Sequence, residues 1–332
     1  MDEFRQDLVS GEWILFATGR SKRPGSSVDT VQARREQPIE QCPFEDPEKF
    51  GNEVLATYPA SNGSGWFAKV AKNKFPAVLK NDLNPSQTTG PHDVADAVGL
   101  HELVIYRGHY RDFHEFGLPE LATVLKIYQQ RYKAMTEFAP VRYILIFHNR
   151  GPGAGASVAH PHSQIMAIPL VPPEMERNLN GAAKYFSSNK KNPFEALVEW
   201  EKSERKRVVF ENDEFIAVCP FASRYPYEVR IFSQKPHAHF ENCPEDILDE
   251  LAEVLSVVLK KIVAGLADPD YNFYIHTAPI YKAGQQKHDY YSWHIEILPK
   301  VKTDAGFELG SGIEINTVDP DEAAEVLRKT QI

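Results

Sequence analysis

In the run His160-Pro161-His162-Ser163-Gln164 a polar side chain falls at every second position. On a β-strand, where successive side chains alternate between faces, His160, His162 and Gln164 therefore point the same way. Directly upstream lies Asn149-Arg150-Gly151-Pro152-Gly153-Ala154-Gly155-Ala156-Ser157, whose small residues would let backbone N–H groups approach a phosphate closely. An imidazole, with an ordinary pKa of about 6.5, is largely neutral at neutral pH and attacks phosphorus directly. The phosphoramidate so formed divides one difficult displacement into two easier ones, with Gln164 and backbone donors available to stabilise the non-bridging oxygens. Taken alone, His-x-His is most simply a pair of strand histidines, and a glycine-rich loop says less still. Their direct succession points to nucleotide transfer through a histidine adduct, with His162 as the nucleophile.

The elements that must position this run repeat once along the chain. In the first half, strands are expected over WFAKVAKN at 66–73 and HELVIYR at 101–107, and a helix over about 118–137. Leu118, Leu121, Leu125, Tyr128, Tyr132 and Met135 form the apolar stripe of that helix. Strands VRYILIFHN at 141–149 and HSQIMAIP at 162–169 follow. In the second half, VVFEND and EFIAVCPF at 208–221 and EVRIFSQ at 228–234 precede a helix at 245–266, with its stripe at Leu248, Leu251, Leu255, Val258 and Ile262. Strands YNFYIHTAP at 271–279 and WHIEILP at 293–299 complete it. His109 and His237 take matching places, as do the pairs His160/His162 and His294/Glu296. Duplicated α+β units of this kind pair sheets edge to edge, which satisfies two open edges. The expected lobes are 1–175, catalytic, and 176–332, non-catalytic because Glu296 stands where the first copy has His162. GEWILFA at 11–17 reads as a further strand, and 25–65, rich in Pro, Gly, Ser, Asn and Asp, as loops.

The 332 residues fit two domains of roughly 150 each. With 42% apolar and 25% charged residues the chain has the composition of a folded soluble protein. Its net charge of −9 argues against a dedicated nucleic-acid binder, which needs a surplus of Lys and Arg on its binding face. No signal peptide or membrane span is read, so a cytoplasmic location is expected, with no membrane partner. Cys42, Cys219 and Cys243 are far apart and odd in number, which favours thiols, or one metal ligand, over a disulfide framework. Trp13, Trp66, Trp200 and Trp293 read as packing residues, and Lys202–Arg207 as a solvated segment.

The stretch Asn149–Gln164 resembles the active-site signature of the galactose-1-phosphate uridylyltransferases, a two-lobed branch of the histidine-triad superfamily, and the resemblance extends over nearly the whole chain. Arg20-Ser21-Lys22-Arg23-Pro24 resembles that family's N-terminal basic element, Asn73-Lys74-Phe75-Pro76-Ala77 its nucleotide-site segment, and Gly306-Phe307-Glu308 its sugar-binding segment. The resemblance implies an α+β fold of duplicated histidine-triad-like units, their antiparallel sheets joined into one half-barrel-like sheet with helices packed on it. It implies that His162 takes uridylate from UDP-glucose and passes it to galactose 1-phosphate in a ping-pong reaction. By the same resemblance Gln164 and Ser157 bind the transferring phosphate, while Asn149, Gly155, Asn73 and Phe75 surround the nucleotide. Arg20 and Arg23 would offset phosphate charge. Phe307 and Glu308 would face hexose hydroxyls across a homodimer.

The family's structural zinc site, a Cys-x-x-Cys pair with two histidines, maps onto Cys42, Glu45, His109 and His160. A glutamate stands where the second cysteine is usual, and carboxylate oxygen is an acceptable zinc ligand. A second site resembling one in some family members would use His276, His294 and Glu296. No organic cofactor is implied. The leading reading is a UDP-glucose:hexose-1-phosphate uridylyltransferase. The alternative is a nucleotide-sugar phosphorylase, in which phosphate receives the nucleotide, adenylate included. Gly306-Phe307-Glu308-Leu309-Gly310-Ser311-Gly312 fits that alternative and Pro161 the transferase. A histidine-triad hydrolase and a non-catalytic nucleotide-binding protein are the remaining readings.

Overall fold

Two copies of one five-stranded unit meet edge to edge in the protein's computed structural model, which describes residues 2–22, 38–82, 87–280 and 288–332. Numbered along the chain, the strands of the large sheet are β1 (Val54–Pro59), β2 (Trp66–Lys72), β3 (Leu100–Tyr106), β4 (Tyr143–Arg150) and β5 (His162–Ile168). The second copy supplies β6 (Val208–Glu211), β7 (Phe215–Val218), β8 (Val229–Ser233), β9 (Tyr271–His276) and β10 (His294–Pro299). The spatial order is β6-β7-β8-β10-β9-β4-β5-β3-β2-β1, with every neighbouring pair antiparallel. Each half has the order of the other reversed. The expected duplication and joined sheet are therefore present, and the seam is β4 against β9, from Ile146↔Ile275 to Arg150↔Tyr271.

The helices are α1 (Leu118–Thr136), α2 (Pro173–Asn189), α3 (Pro193–Glu204), α4 (Leu248–Gly265), α5 (Gly306–Ser311) and α6 (Pro320–Lys329). One helix from each copy, α1 and α4, lies on the same sheet face. Their stripes bury Leu121, Leu125, Tyr128, Leu251, Leu255 and Val258 against Val104, Ile165, Ile231 and Ile295 in one core spanning both lobes. Each buried aliphatic side chain contributes about 1.5–3 kcal/mol. Gln129 on α1 donates to the carbonyls of Phe240 and Cys243, so the helix layer is also tied by buried hydrogen bonds. On the opposite face, α2 and α3 set Met175, Leu179, Phe194 and Val198 against Ile216, Val218 and Phe232. Over the first copy that face is covered, among the described residues, by Cys42 and Phe44 with Val158 beside them, packed on Ala71, Leu103 and Ile105. This thinly covered half-face carries the side chains of His162 and Gln164.

The expected helices and strands are found within a few residues of their predicted limits. Three expectations fail. Residues 54–59 form edge strand β1 rather than loop, because pairing with β2 supplies the order that their weak alternation does not signal. Helices α2 and α3 fill a stretch left without elements. Trp13 and Trp200 are 50% and 44% exposed, although Trp293 is fully buried. Trp200 forms a flat surface for the Arg207 guanidinium, 4.4 Å from its ring. The strand expected at 11–17 is Trp13–Phe16, between Glu3–Gln6 and Ile315–Asn316 in a separate three-stranded sheet. No helix among the described residues is long and apolar enough to cross a membrane.

Candidate active site

The sheet register sets the site. Ile105 on β3 stands opposite His162, and Leu103 opposite Gln164. Across the other edge Phe147 pairs with Gln164 and His148 with Ser163, so the register continued by one residue brings Asn149 beside His162. Asn149 in turn pairs with Asn272 across the seam. One row of the sheet thus reads Ile105, His162, Asn149, Asn272, with Gln164 two residues along on the same face.

His162 is buried at the mouth of β5, with Phe44 edge-on to its ring at a centroid distance of 4.9 Å. Its Nδ1 lies 2.8 Å from the carbonyl oxygen of His160. A carbonyl only accepts, so Nδ1 carries the proton and Nε2 the lone pair. Burial lowers the imidazole below its ordinary range, the bond to His160 opposing it in part, and the net shift favours the neutral, nucleophilic ring. Behind the strand, Ser163 Oγ is held by Tyr106 and Tyr128 hydroxyls at 2.9 and 2.6 Å and by His148 Nδ1 at 3.1 Å. That buried network anchors the residue next to the nucleophile.

Gln164 is met by a residue that the sequence reading missed. His101 Nε2 lies 2.9 Å from Gln164 Oε1. The same ring touches Asn73 Nδ2, while Asn73 Oδ1 accepts from the Phe75 N–H at 2.9 Å. Thus Asn73 and Gln164 are joined through His101, and the Phe75 ring beside them is 84% exposed. The available signal was a polar residue on a strand face otherwise occupied by Leu103 and Ile105.

The glycine-rich turn departs from expectation. Gly153 N–H donates to Asp270 Oδ2 at 2.7 Å, Ala154 and Ala156 N–H to the Gly151 carbonyl, and Gly155 N–H to the Pro152 carbonyl. The backbone donors of 153–156 are therefore spent within the protein and form no phosphate cradle. Glycine is required for another reason: Gly151 has φ 81°, and a Cβ there would stand 1.8 Å from Asp270 Oδ1. The turn is a close-packed joint between lobes. Arg150, buried before it, reinforces the joint through Asp112, Asp268 and the Pro269 carbonyl.

Cys42, His109 and His160 converge within one coordination sphere. His160 Nε2 donates to the Tyr106 carbonyl at 2.6 Å, which turns Nδ1 inward to 3.4 Å from His109 Nδ1. Glu45 Oε1, buried and without a hydrogen-bond donor among the described residues, lies 3.3 Å from both nitrogens. Burial raises the Cys42 thiol and pushes His160 down to about 4. Two inward nitrogens, an orphaned carboxylate oxygen and a thiol fit a divalent cation, which would also favour the thiolate.

In the second lobe the structure corrects the pairing read from sequence. His294 opens β10 opposite Phe232 as His162 opens β5 opposite Ile105, and its Nδ1 contacts the Ser292 carbonyl as His162 contacts that of His160. His294 thus matches His162, and Glu296 matches Gln164. Glu296 is held by Arg224 at 2.5 Å, by Arg230 at 3.2 Å and by the Tyr274 hydroxyl at 2.6 Å. The two guanidiniums keep its carboxyl well below the usual range against the opposing effect of burial. His276, His294 and Glu296 lie close enough to share a cation, but here the carboxylate is already neutralised by arginines.

The other expected residues stand as follows. Gly155 and Ser157 are exposed in the turn, and Arg20 is exposed in a 3-10 segment, while Arg23 lies outside the described residues. Phe307 is exposed on α5, but Glu308 is turned inward, its carboxylate accepting from the Ala305 N–H at 3.1 Å. No hydrogen bond or ion pair among the described residues joins Phe307 or Glu308 to the His162 row.

A family model described as "Domain of unknown function (DUF4921)" matches residues 52–330. An ADP-glucose phosphorylase of Arabidopsis thaliana is 31% identical over 99% of this chain and 93% of its own length. A galactose-1-phosphate uridylyltransferase of Thermotoga maritima is 29% identical over 100% of this chain and 99% of its own. The crystal structure of the Arabidopsis thaliana ADP-glucose phosphorylase with bound ADP-glucose superposes with a TM-score of 0.83 at 29% identity, each chain covered over 100% of its length.

Proposed function

This chain belongs to the galactose-1-phosphate uridylyltransferase family and is an enzyme of the nucleotidyltransferase type; on that footing we propose that it is a nucleotide-sugar phosphorylase of the ADP-glucose type. The observation that carries the chemistry is the His162 ring, fixed by the His160 carbonyl with its Nε2 lone pair available. Nε2 attacks the α-phosphorus of the nucleotide sugar, a P–N bond forms, and the bond to glucose 1-phosphate breaks. An oxygen of inorganic phosphate then attacks the same phosphorus, the P–N bond breaks, and ADP leaves with His162 neutral again. Gln164 and Asn149 donate to the non-bridging oxygens in both steps. Asn73 and the exposed Phe75 ring border the nucleotide, and Ser157, Gly155, Arg20 and Arg23 belong to the approach to its phosphates.

The substrate reading rests on similarity over nearly the full length to the ADP-glucose phosphorylase and on the Gly306–Gly312 segment. Uridylyl transfer to galactose 1-phosphate is the second reading, favoured by Pro161 and by the uridylyltransferase relatives. The second lobe is non-catalytic in this proposal, for a reason other than its histidine: Glu296, an anion, replaces the amide donor Gln164. Zinc at Cys42, Glu45, His109 and His160 would supply a fixed anchor for the strand entering His162. A homodimer, in which Phe307 and Glu308 serve the sugar site of the partner subunit, completes the proposal, as does a cytoplasmic location.

The test is to incubate the purified protein with ADP-glucose or UDP-glucose labelled in the α-phosphate. An acid-labile adduct lost in His162→Ala is expected, formed faster from ADP-glucose, and phosphate should discharge it as labelled ADP. Preferential labelling by UDP-glucose with discharge only by galactose 1-phosphate would select the second reading. Label surviving His162→Ala would overturn both.

A further inference from the structure

A primary amide beside a phosphate is useful only one way round: its NH2 donates, while its oxygen repels. Nothing in the amide's shape enforces that choice, so a neighbour must. At Gln164 the neighbour is His101. The backbone N–H of Ala77 lies 3.3 Å from His101 Nδ1, and an N–H can only donate. Asn73 Nδ2, whose own oxygen is taken by the Phe75 N–H, lies 3.4 Å from Nδ1 and 3.2 Å from Nε2, so the choice of tautomer rests on the Ala77 N–H. His101 Nδ1 is therefore an acceptor, the proton resides on Nε2, and Nε2 donates to Gln164 Oε1 at 2.9 Å. With the oxygen committed, the Gln164 NH2 is left with no partner among the described residues.

Asn149 repeats the arrangement from the other lobe. Asn272 Nδ2 lies 2.8 Å from the Ala154 carbonyl and 2.8 Å from Asn149 Oδ1. Because a carbonyl only accepts, that Asn272 atom is the nitrogen, and the Asn149 atom facing it is the oxygen. The two amides flanking His162 on its own sheet face are thus both held by their oxygens, each through a chain of bonds that ends on a backbone group. We infer that His101 and Asn272 are positioning residues that turn the NH2 groups of Gln164 and Asn149 toward the phosphorus attacked by His162. Neither need touch the substrate. Since Asn272 lies on β9, the second lobe contributes to the first lobe's reaction by this route.

This inference rests on the proposed nucleotidyl-His162 reading, and a double-mutant cycle separates the two. Single-turnover formation of the His162 adduct from α-phosphate-labelled ADP-glucose, and the dissociation constant of ADP-glucose, are measured for wild type, His101→Ala, Gln164→Ala and the double variant. Absence of adduct in wild type with ADP-glucose and UDP-glucose alike would sink the functional reading itself. Given labelling in wild type, His101→Ala should slow it on the order of tenfold or more while changing ADP-glucose binding less than about twofold. Added to Gln164→Ala, it should change the rate less than about twofold, because its target is gone. A wild-type rate in His101→Ala, or the same slowing in both backgrounds, overturns the inference. Should His101→Ala fail to fold, Asn272→Ala with Asn149→Ala supplies the parallel cycle with the same two outcomes.

Discussion

His162 Nδ1 and the His160 carbonyl oxygen, 2.8 Å apart, fix which nitrogen of the nucleophile is free to react. The nucleotide should therefore be carried on Nε2. Phosphoramidates on the two imidazole nitrogens differ in their phosphorus resonance, so 31P spectra of the adduct after rapid denaturation distinguish them. A resonance belonging to the Nδ1 isomer would contradict the orientation described here.

The inward Nδ1 atoms of His109 and His160, 3.4 Å apart with Glu45 Oε1 at 3.3 Å from each, predict one tightly held zinc per chain in elemental analysis. The cluster gathers around His160, two residues before the nucleophile, and His162 Nε2 is not among its ligand atoms. Chelation or Glu45→Ala should thus lower the thermal midpoint by several degrees while the residual folded protein still labels at His162. Loss of labelling without loss of stability would assign the metal a direct chemical part.

How much of this was legible in the sequence follows from how local each signal is. The strands around α1 and α4 carried strict periodicity and were read within a few residues. Helix α2 was not, since its buried residues Met175, Leu179 and Ala182 make a stripe too thin to stand out among charges. The cluster of Cys42, Glu45, His109 and His160 was foreseen residue by residue, whereas His101 and Asn272 were missed because neither belongs to a motif and both lie in strands read for their apolar residues. The turn at 151–156 was misread for a different reason. The Gly153 N–H is taken by a carboxylate more than a hundred positions away, at Asp270, which no local pattern announces, and those of 154–156 by carbonyls of the turn itself. Likewise, matching the polar pair that opens each final strand set Glu296 against His162, and only the sheet register set His294 there.

Gly151 joins a left-handed backbone angle to a carboxylate that occupies the space of a side chain. Gly151→Ala should therefore cost clearly more than the roughly 1 kcal/mol expected of φ strain alone. Gly155→Ala is the control: φ is 84°, but nothing stands within 4 Å of its Cβ. Urea midpoints of the two variants give the comparison, and equal losses would remove Asp270 from the explanation.

His148, buried on the helix side of β4, is pushed down to about 3, first by burial and then by the nearby His162 and Arg150. Between about pH 3 and the ordinary imidazole value of about 6.5 the unfolded chain binds a proton there that the native protein refuses. Stability consequently rises with pH across that window, by up to about 1.4 kcal/mol per pH unit for this residue, and levels off below about pH 3, where both states hold the proton. The slope of unfolding free energy against pH should flatten in His148→Asn. An unchanged slope would mean that His148 titrates normally in the folded protein.

Gln164 and Glu296 occupy matching places in the two lobes, opposite Leu103 and Arg230 respectively. An amide there donates to a phosphate oxygen, and a carboxylate repels it unless arginines absorb its charge, as Arg224 and Arg230 do for Glu296. Around Gln164 the neighbour is instead His101, a neutral ring whose pKa burial lowers. Gln164→Glu should therefore cut His162 adduct formation on the order of a hundredfold, since a donor is replaced by an uncompensated anion facing the transferred phosphate. Gln164→Ala, which removes the donor without adding charge, should lose less. If the two variants were equally slow, the charge at this position would have no part in separating the active lobe from the inactive one.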